Sequence, residues 1–158
     1  MSNISRAGST RRAHSLRRRY VSTQPEARPA IYDYAIVRVV PRAERGEFLN
    51  AGVILACQDA SFLEARVELD EARLLALDPN ADLVTITQHL AAIPAICAGG
   101  KHASPLAALS RRERFDWLTA PRSALIQTSP VHTGRCTDPL AALEALMRKM
   151  VRTSAAAR

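Results

Sequence analysis

The chain has 158 residues, a length that fits one domain and leaves no room for a second full one. Apolar residues make up 47% and charged residues 23%, enough for a core and an ordinary surface, and no apolar run approaches the roughly 20 residues of a membrane helix, which excludes a transmembrane protein. The net charge of +7 points to nucleic acid only until it is divided: residues 1–30 hold seven arginines against Glu26, a surplus of +6, and the rest holds fifteen basic against fourteen acidic residues, a surplus of +1.

Residues 1–30 read as a disordered basic tail. Large apolar residues are scarce there, and Pro25 and Pro29 punctuate its end. Three readings of the tail stand side by side. Arg11-Arg12 and Arg17-Arg18-Arg19 suit phosphates or an anionic surface, so nucleic-acid binding is expected of the tail alone. Its Arg- and Ser-rich, acid-poor composition also suits a targeting segment. Alternatively, translation starts at Val21, just ahead of the domain, and the segment is not part of the native protein. No signal-peptide apolar core is present in it.

The domain is expected over residues 31–152, with a disordered end at 153–158. Tyr32 to Val40 is rich in aromatic and β-branched residues and stops at Pro41, which predicts a central strand. Arg42 to Glu47 is a charged connection, and Asn50 to Cys57 a second strand. After the Gln58–Ser61 turn, Phe62 to Leu69 alternates between apolar and polar, the pattern of a strand with one wet face. Asp70 caps a short helix over 71–77. Asp82 opens a longer one on the stripe Leu83, Ile86, Leu90, Ile93 and Cys97, with Pro94 shortening or kinking its last turn and Gly99-Gly100 stopping it. Ser110 and Glu113 form a capping-box pattern before Phe115 to Leu118. Arg122 to Gln127 predicts a short fourth strand, and Ser129 to Gly134 a loop. Asp138 and Pro139 open a final helix with the stripe Leu140, Leu143, Leu146, Met147 and Met150, and Glu144 is placed to pair with Arg148. Core packing or a homodimer explains that stripe equally. Strands bunched ahead of helices argue for an α+β fold: an antiparallel sheet of about four strands with helices on one face.

Three familiar chemistries fail on spacing. Gly99-Gly100-Lys101-His102 lacks the Ser or Thr and the preceding strand of a phosphate loop. Cys57, Cys97 and Cys136 include no CxxC pair, His89 has no ligand at i+4, and His132 with Cys136 has no second pair, so no metal site and no cofactor are expected. The cysteines read as buried free thiols. Scattered aromatics give no stacking platform for single strands.

One polar cluster exceeds what folding asks for. Arg38 interrupts an apolar strand; Arg42, Arg45, Glu47 and Asn50 follow it; Arg122, Ser123, Gln127, Ser129, His132 and Thr133 surround the fourth strand. If strands one and four are neighbours, Arg38, Arg122 and His132 converge on a phosphate or carboxylate, with His132 as acid/base in a phosphoryl- or phosphodiester-processing site. Ser129, Thr133 or Cys136 beside His132 also allows a nucleophile–base pair. The structural alternative is an ion-pair network, for example Arg38 or Arg122 with Glu47 or Asp33.

Several long segments together resemble a bacterial family of unknown function, domain of unknown function 3037. They are Tyr32 to Arg42, Arg45 to Phe48 with Asn50, Gly52 to Leu55, Ile96 to Gly100, Glu113 to Ser123, Ser129 to Gly134, Cys136, and Asp138-Pro139. The resemblance covers about 31–152 and leaves the tail outside; the family's domain usually starts close to the chain start, which supports a start at Val21. It implies a small cytoplasmic protein, with a HipA-like serine/threonine kinase as a frequent genomic neighbour and thus a potential partner. The leading expectation is a non-enzymatic accessory or regulatory protein. It would bind its partner through Arg42 to Glu47 and the Ser129–Gly134 segment.

Overall fold

The computed structural model describes residues 28–100 and 105–153. The expectations for residues 1–27 of the basic tail, and for the chain end beyond Thr153, lie outside the described residues; Ala30, expected in the tail, instead opens the first strand. The sheet has five antiparallel strands: β1 (Ala30–Val39), β2 (Leu49–Cys57), β3 (Phe62–Val67), β4 (Ile126–Thr128) and β5 (His132–Cys136). Four α-helices complete the fold among the described residues: α1 (Glu71–Leu77), α2 (Leu83–Ala98), α3 (Arg111–Thr119) and α4 (Pro139–Met150). The class is α+β.

β1 is the central strand, as its apolar run predicts. It pairs with β2 along one side. Its other side is shared: Val37 to Val39 pair with β4, and Ala30 to Tyr34 with β5. β3 closes the far edge beside β2. Strands one and four are therefore neighbours, but two expected boundaries shift. The fourth strand occupies 126–128, so Arg122 to Leu125 lie in the connection before it. The expected loop at 129–134 contains the start of β5.

Successive residues of β2 feed two cores. Ile54 joins Leu63, Leu74, Ile86, Leu90, Phe115 and Leu118 under α1, α2 and α3. Val53, Leu55 and Cys57 point the other way, onto Leu143, Leu146, Met147 and Val151 at α4. Three helices thus cover one face and the fourth covers the other. A strand that is apolar at consecutive positions requires cover on both sides. A bulge at Ala51 and Gly52 shifts the β1–β2 register between Val37 and Arg38, and it returns Ala51 and Leu49 to the α2 core.

The predicted caps form. Asp70, Asp82 and Asp138 accept hydrogen bonds from the first-turn amides of α1, α2 and α4. Ser110 and Glu113 make a reciprocal capping box at α3. Helix α2 runs through Pro94 to Ala98 and ends at Gly99, whose φ is 71°. Cys57 and Cys97 are buried free thiols, and Cys136 is half-buried. Burial pushes the Cys97 thiol up to about 12, against the pull of Arg114.

Among the described residues, the close ion pairs of Glu144 are not with its helical neighbour Arg148, whose charge acts on it only from further off. Glu144 accepts from Arg66 of β3 at 2.6 Å and from Arg152, which also donates to Glu68 at 2.8 Å. This network fastens the end of α4 to the sheet. The Arg152 hydrogen bond holds the Glu144 carboxyl below its ordinary value. A depressed carboxyl stabilises the fold above its unfolded-state pKa and loses that contribution as pH falls through the folded one. Glu144→Gln is therefore expected to flatten the acid limb of the stability curve. Denaturant midpoints taken from neutral pH to below the carboxylate range check this, and salt should shrink the difference because the pairs are exposed.

Candidate functional site

Alternation along the strands separates the predicted polar cluster into groups. Across the sheet, Asn50, Arg38 and Gln127 stand side by side on β2, β1 and β4, on the α4 face. Asn50 donates to the Met150 carbonyl at 3.0 Å, and Gln127 to the Ala124 carbonyl at 2.9 Å. The Arg38 guanidinium lies over Phe48, 4.2 Å from the ring centre. Arg38 Nε and Asn50 Oδ1 are buried with no hydrogen-bond partner among the described residues.

His132 is on the same face, opposite Tyr34, with ring centres 5.3 Å apart. Tyr34 and Arg38 are four residues apart on β1, about 13 Å at the usual strand rise. Thr133 points to the opposite face and donates to Asp33 at 2.9 Å, and Arg112 holds the other oxygen of Asp33 at 3.1 Å. Arg122 lies on that second side too, in the α3–β4 connection. It stacks on Trp117, 4.0 Å from the ring centre, and donates to the Trp117 carbonyl. The structure does not bring Arg38, Arg122 and His132 into one pocket.

The remaining predicted residues are accounted for locally. Arg45 grips Glu47 with two hydrogen bonds, 2.8 and 3.1 Å, on the exposed β1–β2 connection. Arg42 lies 3.8 Å from Asp78. The ion pairs expected as the alternative differ in their arginines: Glu47 is held by Arg45 and Asp33 by Arg112, while Arg38 and Arg122 stack on Phe48 and Trp117. Ser123 is exposed beside Arg122. Ser129 is not a surface ligand. It is 2% exposed, and its Oγ accepts from the Ile36 amide at 2.9 Å and donates to the Pro130 carbonyl at 2.8 Å.

A different site emerges between α2 and β4. There a groove of about 360 Å³ opens beside the main core. Ala92, Ile93 and Ile96 of α2 form one wall, and Leu125 and Ile126 face them. Trp117 and Leu118 close the end at α3. Its polar groups include His89, Arg122 and Thr128, and no Asp or Glu lines it among the described residues. Trp117 is 39% exposed although it is a large aromatic. Sequence spacing carried a signal for this wall: His89, Ala92, Ile93 and Ile96 recur at i, i+3, i+4 and i+7. That stripe overlaps the core stripe of the same helix at Ile93 and is turned partly away from it. A second depression of about 580 Å³, near Asp33, Asp59 and the start of α3, is more polar. Its Arg112 is already shared between Asp33 and Asp116.

Residues 34–151 match the family model described as Protein of unknown function (DUF3037). The chain belongs to this family. The DUF3037 match starts within β1 and ends at Val151, just after α4, so it covers both cores and the groove. No curated protein and no solved structure matches the chain. Among the described residues of this DUF3037 protein, no helix is long and apolar enough to cross a membrane.

Proposed function

We propose that this DUF3037 chain is a non-enzymatic accessory or regulatory protein of the bacterial cytoplasm, and that its α2–β4 groove holds a segment of a protein partner. The observation that carries the reading is Trp117, left 39% exposed in the lining of an apolar groove with Arg122 stacked on it. Trp and Arg are the residues that most often dominate protein–protein binding energy, and they do so in pockets that a partner side chain can fill. Free thiols at Cys57, Cys97 and Cys136 suit a reducing compartment. This reading moves the docking surface from the Arg42–Glu47 connection, where Arg45 and Glu47 satisfy each other, to the groove.

A HipA-like kinase is the first partner to test. Co-expression of the full chain with a HipA-like kinase is expected to give a stable complex on size exclusion. Trp117→Ala should weaken that complex by at least about tenfold, the loss of a modest hot spot. Half-exposed Trp117 is outside both cores, and a thermal melt checks that the variant stays folded. Undiminished binding by Trp117→Ala would remove the groove from the reading. No complex at all would remove the kinase.

A further inference from the structure

The chemistry of the groove specifies what the partner presents, and this inference rests on the docking reading above. We propose that the groove recognises an extended partner segment in which a large apolar side chain stands next to a carboxylate. The apolar side chain fills the space between Ile93, Ile96 and Ile126, and the carboxylate lies on the guanidinium of Arg122.

Three observations converge on this occupant. The walls are apolar, so burial of an apolar side chain drives entry. Arg122 is already fixed, by stacking on Trp117 and by one hydrogen bond to the Trp117 carbonyl. A guanidinium carries five N–H groups, so this leaves most of its fork for a ligand. Arg45, Arg66, Arg112 and Arg152 each hold a carboxylate, whereas Arg122 forms no ion pair among the described residues. The groove supplies none either, so its charge complement must come from outside.

A second copy of the chain is a poorer occupant. Its exposed Phe48 sits beside Glu47 and is the nearest match to the required pair. That carboxylate is already gripped by Arg45, and Arg38 is stacked on Phe48.

The test uses the full-length protein and short synthetic peptides with a central Phe-Glu, Phe-Gln or Phe-Lys pair. Binding is read from the NMR shift of the Trp117 indole N–H. The Phe-Glu peptide is expected to shift it saturably, and the Phe-Gln peptide to bind about tenfold more weakly, the scale of one charge-assisted contact. Arg122→Gln should bring the Glu and Gln peptides to equal affinity, and Arg122→Lys should keep part of the preference.

Equal affinity of the Glu and Gln peptides for the wild type, or no peptide binding, overturns the inference. So does tighter binding of a free amphipathic acid such as dodecanoate, which would make this a small-molecule site. An indole shift that follows protein concentration without peptide would identify a second copy as the occupant and overturn it as well. The two proposals fail separately. Loss of the kinase complex by Trp117→Ala without a Glu preference leaves the docking reading and removes the carboxylate. A Glu preference with an unaffected kinase complex does the reverse.

Discussion

Gly52→Ala is expected to destabilise the domain by about 3 kcal/mol, the upper end for forcing an extra methyl into a packed core. A Cβ at position 52 would sit 2.5 Å from the Arg66 carbonyl oxygen and 2.9 Å from a Val67 methyl. The first of these is backbone, in a strand paired directly to β2, and cannot swing aside. Gly52 also belongs to the bulge that resets the register against β1, so a shift there would misplace Ala51 and Leu49 in the α2 core. Gly134→Ala is the informative control. Its Cβ would meet the Tyr32 ring at 2.5 Å, but β5 is an edge strand and a side chain can give way. Urea midpoints of both variants check the ordering. A Gly52→Ala midpoint within experimental error of the wild type would mean that β3 yields at this point.

Ser129→Ala should cost about 2 kcal/mol, although it removes a single oxygen. Between β4 and β5 the chain passes through Pro130, which interrupts the edge of the ladder. Ser129 repairs the gap. Its own amide donates to the Ile36 carbonyl at 2.8 Å, and its hydroxyl accepts the Ile36 amide at 2.9 Å. Alanine would strand that buried amide beside an apolar core with no acceptor, and the desolvation penalty then stands uncompensated. Denaturation measures the loss. Hydrogen exchange locates it: the Ile36 amide should lose protection more than its neighbours on β1. If Ile36 exchanges as in the wild type, water has replaced the hydroxyl.

The segments with regular apolar spacing were legible from sequence. β1, β2, the two Asp-capped early helices, the Ser110–Glu113 capping box and the Asp138-Pro139 helix start all follow local rules that the tertiary structure respects. β5 was not legible. His132-Thr133-Gly134-Arg135 has no apolar alternation, because an edge strand wet on its outer side needs none, and Tyr32 covers Gly134 in place of a side chain. The polar cluster was misgrouped for a related reason. Sequence neighbours in a strand face opposite ways. Thr133 therefore reaches Asp33, while His132 packs on Tyr34. Ser129 looked like a ligand because buried hydroxyls that mend a ladder have no sequence signature. The groove was half legible. The α2 stripe from His89 to Ile96 is visible in the sequence, but its opposite wall comes from residues some thirty positions further on, which only the β1–β4 pairing brings near.

The break at Pro130 has a consequence for how the molecule behaves in a crowded solution. An uninterrupted strand along that side would present a long row of unpaired backbone donors and acceptors, a template for another chain. Here the row is cut into pieces of three and five residues, separated by Ser129-Pro130-Val131, of which Pro130 has no amide hydrogen. Arg135 adds a charge in the longer piece. The edge is therefore a poor seed for strand-by-strand aggregation.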